Sequence, residues 1–131
     1  MAGRSMTGRV DVEDLLLVLG ECTSRHTRVR DISILFSATA RPESYAFNKQ
    51  TFETVPERAA ALLHSIVRWE PLDMWNASLG WRAARLMAKH NGSSLTMSPL
   101  DQMTLTSEII DRRVDDVSEI AKQLEPFLRT G

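Results

Sequence analysis

Residues Glu57 to Gly92 read ERAAALLHSIVRWEPLDMWNASLGWRAARLMAKHNG. Ala59, Leu62, Leu63, Ile66 and Val67 recur at helical spacing and make a broad apolar face, so this first half predicts a central helix. Its start carries agreeing signals: Thr54 can cap, Pro56 suits the first turn, and Glu57 completes a capping box. Pro71 ends it. A second helix begins near Asn76, with Leu79, Ala83, Leu86 and Met87 as its core stripe and Arg82, Arg85 and Lys89 facing out. His90-Asn91-Gly92 supplies a left-handed stop. Between the two helices, Trp69 to Ala77 is a polar-aromatic loop holding Glu70, Pro71, Asp73, two tryptophans and Asn76.

Working outward, Thr23–Arg30 reads as a polar, basic loop. Asp31 is the N-cap of a helix in which Ile32, Leu35, Phe36 and Thr39 recur, and Arg41-Pro42 stops it. Asp11 caps an earlier helix rich in leucine that ends near Cys22. Residues 1–10 read as a frayed, disordered segment, with one domain over 11–131. Tyr45, Phe47 and Phe52 sit among polar residues over 43–53, which predicts a flap able to close as a short β-hairpin before the central helix. Downstream, Ser98-Pro99 opens a helix to Asp111, expected to bury Leu100, Met103, Leu105 and Ile109 or Ile110. Asp115 or Asp116 caps a last helix through Leu124. Six helices with short connections predict a compact all-α domain.

The chain has 131 residues, enough for one domain with its own core. Sixteen basic against 17 acidic residues leave a net charge of −1, so no global basic field argues for nucleic acid. No apolar run approaches the roughly 18 residues of a membrane span, and no secretory leader pattern is present. The single cysteine, Cys22, forms no disulfide framework and no metal knuckle; it reads as a small buried hydrophobe. These features together predict a cytoplasmic protein.

Three segments resemble the Fic/Doc family, and more closely its small Doc-like toxin branch. They are Arg30-Asp31 through Arg41-Pro42, Glu57 through Ser65, and Glu70 through Gly92. The last is similar to the family signature, roughly HPFxDGNKRTA followed by a helix ending in Asn-Gly, and it fits without a gap. The resemblance spans about residues 11–128. It implies a compact helical core, transfer of AMP or phosphate from a nucleotide to a protein hydroxyl, and a small antitoxin as partner.

The signature is degenerate. Glu70 stands where the family has its histidine base, and Leu72 replaces the packing phenylalanine. Met74 stands for the metal-holding acid, although hard cations prefer oxygen. Trp75 stands for the glycine that lets backbone N–H groups approach phosphate. Ala77 and Ser78 replace the cationic pair; Pro71 and Asn76 are retained. Two acids and no cation in a phosphate cradle repel a triphosphate, so ordinary transferase or kinase activity is not expected. No cofactor or metal is expected, with residual nucleotide or magnesium binding left open.

Glu70 and Asn76 remain the catalytic candidates, Glu70 as an acid or base beside Trp69 and Trp75, or else a surface acid at a helix end. Trp69, Asp73, Trp75, Ser78 and Trp81 are candidates to line a ligand or partner cleft, though the indoles equally suit plugging the old groove. Asp73 also reads as a turn cap, and His64 as a polar-facing or satisfied core histidine. Tyr45, Phe47 and Phe52 mark the flap as a candidate contact surface. The alternatives are therefore a degenerate toxin component with an antitoxin-like partner, a repurposed protein for a small organic ligand, and an interaction module without chemistry.

Overall fold

The computed structural model describes residues 8–22 and 27–130. Six α-helices organise it: α1 Val12–Cys22, α2 Ile32–Ala40, α3 Val55–Trp69, α4 Asn76–His90, α5 Pro99–Ile110 and α6 Val117–Leu124. The predominantly α-helical fold is as expected. Two small antiparallel pairs accompany the helices, β1 Tyr45–Ala46 with β2 Lys49–Gln50, and β3 Ser93–Leu95 with β4 Leu128–Thr130. The second pair was not legible in sequence, because Ser93-Ser94-Leu95 carries no strand pattern and meets its partner only through the folded helices.

α3 is the hub. Ala59, Ala60, Ala61, Leu62, Leu63 and Ile66 are fully buried, each large side chain worth about 1.5–3 kcal/mol relative to exposure. It packs against α4, α5, α6 and α2. The start signals act as read: the Thr54 hydroxyl accepts from the Glu57 N–H, and Glu57 Oε1 accepts from the Thr54 N–H at 3.0 Å. Such a cap contributes about 1 kcal/mol. α3 and α4 approach closely at Gly80, where an added Cβ would lie 3.1 Å from Leu63 Cδ1.

The apolar faces differ from expectation in two helices. In α2, Leu35, Ala38 and Thr39 are buried, whereas Ile32 and Phe36 are exposed. In α5, Leu105 and Ile109 are buried, but Leu100 and Met103 are 70% and 66% exposed. Leu105 and Ile109 form an i, i+4 pair turned to the core, and Leu100 and Met103 have no covering element among the described residues.

The expected frayed segment 1–10 lies outside the described residues over 1–7. From Gly8 the chain is tied down: its carbonyl accepts from Arg58 Nη2 at 3.0 Å and Asn91 Nδ2 at 2.9 Å, and Val10 is fully buried. The loop expected over 23–30 lies outside the described residues at 23–26, as does the Cys22 side chain. No helix among the described residues is long and apolar enough to cross a membrane.

Candidate functional site

The loop between α3 and α4 is built by main-chain hydrogen bonds to the segment before α2. Glu70 ends α3 in the left-handed region (φ 50°), its N–H still donating to the Ile66 carbonyl. The carbonyls this leaves open are met from across the chain. Arg30 Nη2 donates to the Trp69 carbonyl at 2.8 Å, and Arg30 Nε and Nη2 both donate to the Glu70 carbonyl. The Pro71 carbonyl accepts from the N–H groups of Arg30 and Asp31. Val29 bridges Leu72, whose side chain is buried.

Asn76 turns inward on the loop. Asn76 Oδ1 accepts from the Leu72 N–H at 2.9 Å, and Asn76 Nδ2 donates to the Leu72 carbonyl at 3.1 Å. Asp73 closes a matching pair with Arg28: its N–H donates to the Arg28 carbonyl, and its Oδ1 accepts from the Arg28 N–H, both at 3.0 Å. Trp75 precedes α4 with φ 72°, the conformation glycine adopts most readily. Trp75 thus carries an indole on a backbone suited to glycine.

The three tryptophans go to three places. Trp69 has the Arg41 guanidinium 5.7 Å from its ring centre, and the same guanidinium lies 5.9 Å from that of Phe52. Trp75 is half exposed at the loop corner. Trp81 is buried between α4 and α5, its Nε1–H donating to Thr106 Oγ1 at 2.8 Å. Ser78 and Trp81 share a hollow of about 430 Å³ between α4 and α5, with Arg82, Arg85, Gln102 and Met103 among its other walls. Glu70, Asp73, Trp69, Trp75 and Asn76 are not in its walls. Glu70 is exposed.

The flap is a hairpin: Tyr45 pairs with Gln50 and Ala46 with Lys49. Phe47 and Asn48 both have positive φ, 54° and 62°, as a two-residue type I′ turn requires. Phe47 is fully exposed at the tip and Tyr45 largely so, while Phe52 turns back onto Arg41.

A polar cluster joins these parts, and sequence reading missed it as a unit. Arg41 Nη1 donates to His64 Nδ1 and Ser65 Oγ, both at 2.9 Å. An arginine offers no acceptor, so Nδ1 accepts, and Nε2 carries the proton donated to Asp115 Oδ1 at 3.0 Å. Arg68 Nη1 donates to the same oxygen. Burial is the main cause holding the His64 pKa below its ordinary value, partly opposed by the Asp115 hydrogen bond. The His64 hydrogen bond leads the causes that lower Asp115. His64 is thus a partnered core histidine. The signal available in sequence was Arg41 before a proline. Among the described residues, no group of three or more His, Cys, Asp or Glu is placed to hold a metal.

No family model and no solved structure matches the chain. Over 123 residues, 93% of this chain and 95% of the relative, the chain is 29% identical to the protein named toxin Doc of Mycolicibacterium smegmatis, a likeness that supports kinship with the Doc-like toxins.

Proposed function

We propose that this chain is a toxin component of the Doc-like kind, paired with an antitoxin-like protein, whose nucleotide-transfer motif is degenerate. The observation that carries the reading is the likeness to toxin Doc along nearly the whole of both chains. The degenerate motif is supported by the loop's own bonding. The Asn76 amide is committed to Leu72 and one Asp73 oxygen to Arg28. Met74 offers a thioether where magnesium wants a carboxylate. Glu70 adds negative charge where a base and phosphates would meet. These residues do not fit a magnesium–triphosphate pair, and no transfer step runs through them.

The test has two arms. Induced expression in a bacterial host is expected to arrest growth, and equally so for Glu70→Ala. Calorimetry with ATP, GTP, CTP and UTP plus Mg²⁺ is expected to show no micromolar binding. Unimpaired growth would sink the toxin reading. Nucleotide-dependent labelling of a lysate protein, lost in Glu70→Ala, would sink the degenerate-motif reading.

A second reading, a binding protein for a small organic molecule, draws on the hollow beside Trp81. Glu70 lies outside those walls, so the version with Glu70 as acid or base has no geometry there. A third, an interaction module without chemistry, draws on the exposed Tyr45 and Phe47 of the flap.

A further inference from the structure

We propose that Arg41 and His64 form an acid-sensitive latch that fastens the base of the flap to the loop between α3 and α4. Arg41 opens the Arg41–Glu43 turn that leads into the flap. Its guanidinium lies 5.9 Å from the ring centre of Phe52, where the flap returns to α3, and 5.7 Å from that of Trp69, where the loop begins. One cation is thus shared by both elements. Its Nη1 is fixed by two neutral acceptors, His64 Nδ1 and Ser65 Oγ, each at 2.9 Å. Ser65 is fully buried and gives its own hydroxyl proton to the Ala61 carbonyl. Among the described residues, no carboxylate forms an ion pair with Arg41. The grip on the guanidinium therefore depends on the lone pair of a group that can be protonated.

The geometry fixes where an added proton goes. Nε2 already carries one, donated to Asp115 Oδ1 at 3.0 Å, so the incoming proton takes Nδ1, the atom facing Arg41. A protonated imidazole has no acceptor, and the 2.9 Å bond becomes a contact between two donors and two cations. The charged groups around the ring decide which side gives way. Arg41 faces it from the turn before the flap and Arg68 from the next turn of α3. Asp115 and Asp116 face it from the segment entering α6, with Arg112 beside Asp115. Asp115 holds the charged ring on its Nε2 side, together with Arg68. Among the described residues no carboxylate pairs with Arg41 on the Nδ1 side, so Arg41 is the group displaced. Burial opposes charging of the ring, so the latch stays closed at neutral pH and opens only below the ordinary histidine value of about 6.5. Release removes the shared cation from Phe52 and Trp69 and lets flap and loop move apart. The device is a change of position, distinct from the loss of stability in acid, and is independent of whether the chain acts as a toxin.

The test follows the full chain by NMR from pH 7.5 to 5, at a temperature well below unfolding. Beside two aromatic rings, the Arg41 side-chain protons are expected upfield of their usual positions at neutral pH. That displacement should shrink by at least about half as His64 titrates, with the same midpoint as the His64 ring signals. The Trp69 indole N–H should shift with it, while the core amides of α3 keep their positions. His64→Gln retains a neutral acceptor at this place and should hold Arg41 in position down to pH 5. Arg41→Gln removes the opposing cation and should raise the His64 midpoint by about half a pH unit or more. Arg41 signals that stay put while His64 titrates overturn the proposal, as does an equal acid shift in His64→Gln or an unmoved midpoint in Arg41→Gln. A His64 ring that stays neutral in the folded chain down to pH 5 also overturns it. So does a midpoint shared with loss of all amide dispersion, which would mean plain acid unfolding.

Discussion

Arg30 donates to the main-chain carbonyl of Glu70 through two nitrogens, Nε at 2.9 Å and Nη2 at 2.6 Å. A residue before α2 thereby caps the C-terminus of α3 and holds the loop that leads into α4. Arg30→Ala is expected to cost about 1–2 kcal/mol in urea denaturation, because charge-assisted bonds to these carbonyls are lost. Arg30→Lys should recover only part of this, since an ammonium lacks the planar fork. Unchanged stability in both variants would show that the contact carries no weight.

Trp75 tests whether the loop still prefers a glycine. At φ 72° a non-glycine residue is strained by about 1 kcal/mol or more, and the indole is only half buried. Trp75→Gly is therefore expected to match or exceed the parent in thermal midpoint. Trp75→Val, β-branched and ill suited to this region, should fall at least about 1 kcal/mol below the glycine variant. The reverse order would mean that indole packing outweighs backbone strain.

Gly80 tests the contact between α3 and α4. An added Cβ meets Leu63 Cδ1 at 3.1 Å and Val67 Cγ2 at 3.4 Å. Gly80→Ala should be near neutral, because about 1 kcal/mol of helix propensity offsets the crowding. Gly80→Val is expected to cost about 1–3 kcal/mol by overpacking, read from chemical denaturation. A valine variant as stable as the parent would show that the two helices separate freely.

His64 sets a pH dependence whose sign follows from its surroundings. Burial holds its folded pKa below the unfolded value near 6.5. The unfolded chain therefore binds the proton more readily. The stability contributed by neutral His64 is fully present above about pH 6.5 and declines as pH falls toward the folded pKa. His64→Gln should flatten that decline in thermal midpoints collected from pH 7.5 to 5, while leaving the steeper acid loss from carboxylates. An identical slope in the variant would remove His64 as its source.

The part of the site that was legible in sequence was its frame. Pro71, Asn76 and the flanking helices announced a helix–loop–helix with a break at the right place. What the residues do inside that frame was not legible. Asn76 was a catalytic candidate by resemblance, yet its amide is occupied by Leu72. Trp69, Trp75 and Trp81 read equally as lining a cleft or plugging it; in the fold Trp69 meets Arg41, Trp75 stands at the loop corner, and Trp81 bonds Thr106 while lining the α4–α5 hollow. A left-handed turn at Glu70 and another at Trp75 re-aim the chain between them, and no side-chain pattern encodes two such turns in a row.

The sequence by itself determined where helices begin and end, because those signals act over three or four residues. Thr54 with Glu57, Ser98 before Pro99, and Asn91-Gly92 are each local. It also determined that α3 is central, since an apolar face that broad has no other stable place. Only the tertiary structure decided which faces of α2 and α5 stay uncovered, and which distant residues meet. Arg30 and Glu70 are 40 positions apart, and His64 and Asp115 are 51 apart. Their contacts depend on how helices pack against one another, and packing is settled by the whole core at once. The hollow between α4 and α5 is of the same kind: its two walls belong to different helices and exist as one surface only when both are docked.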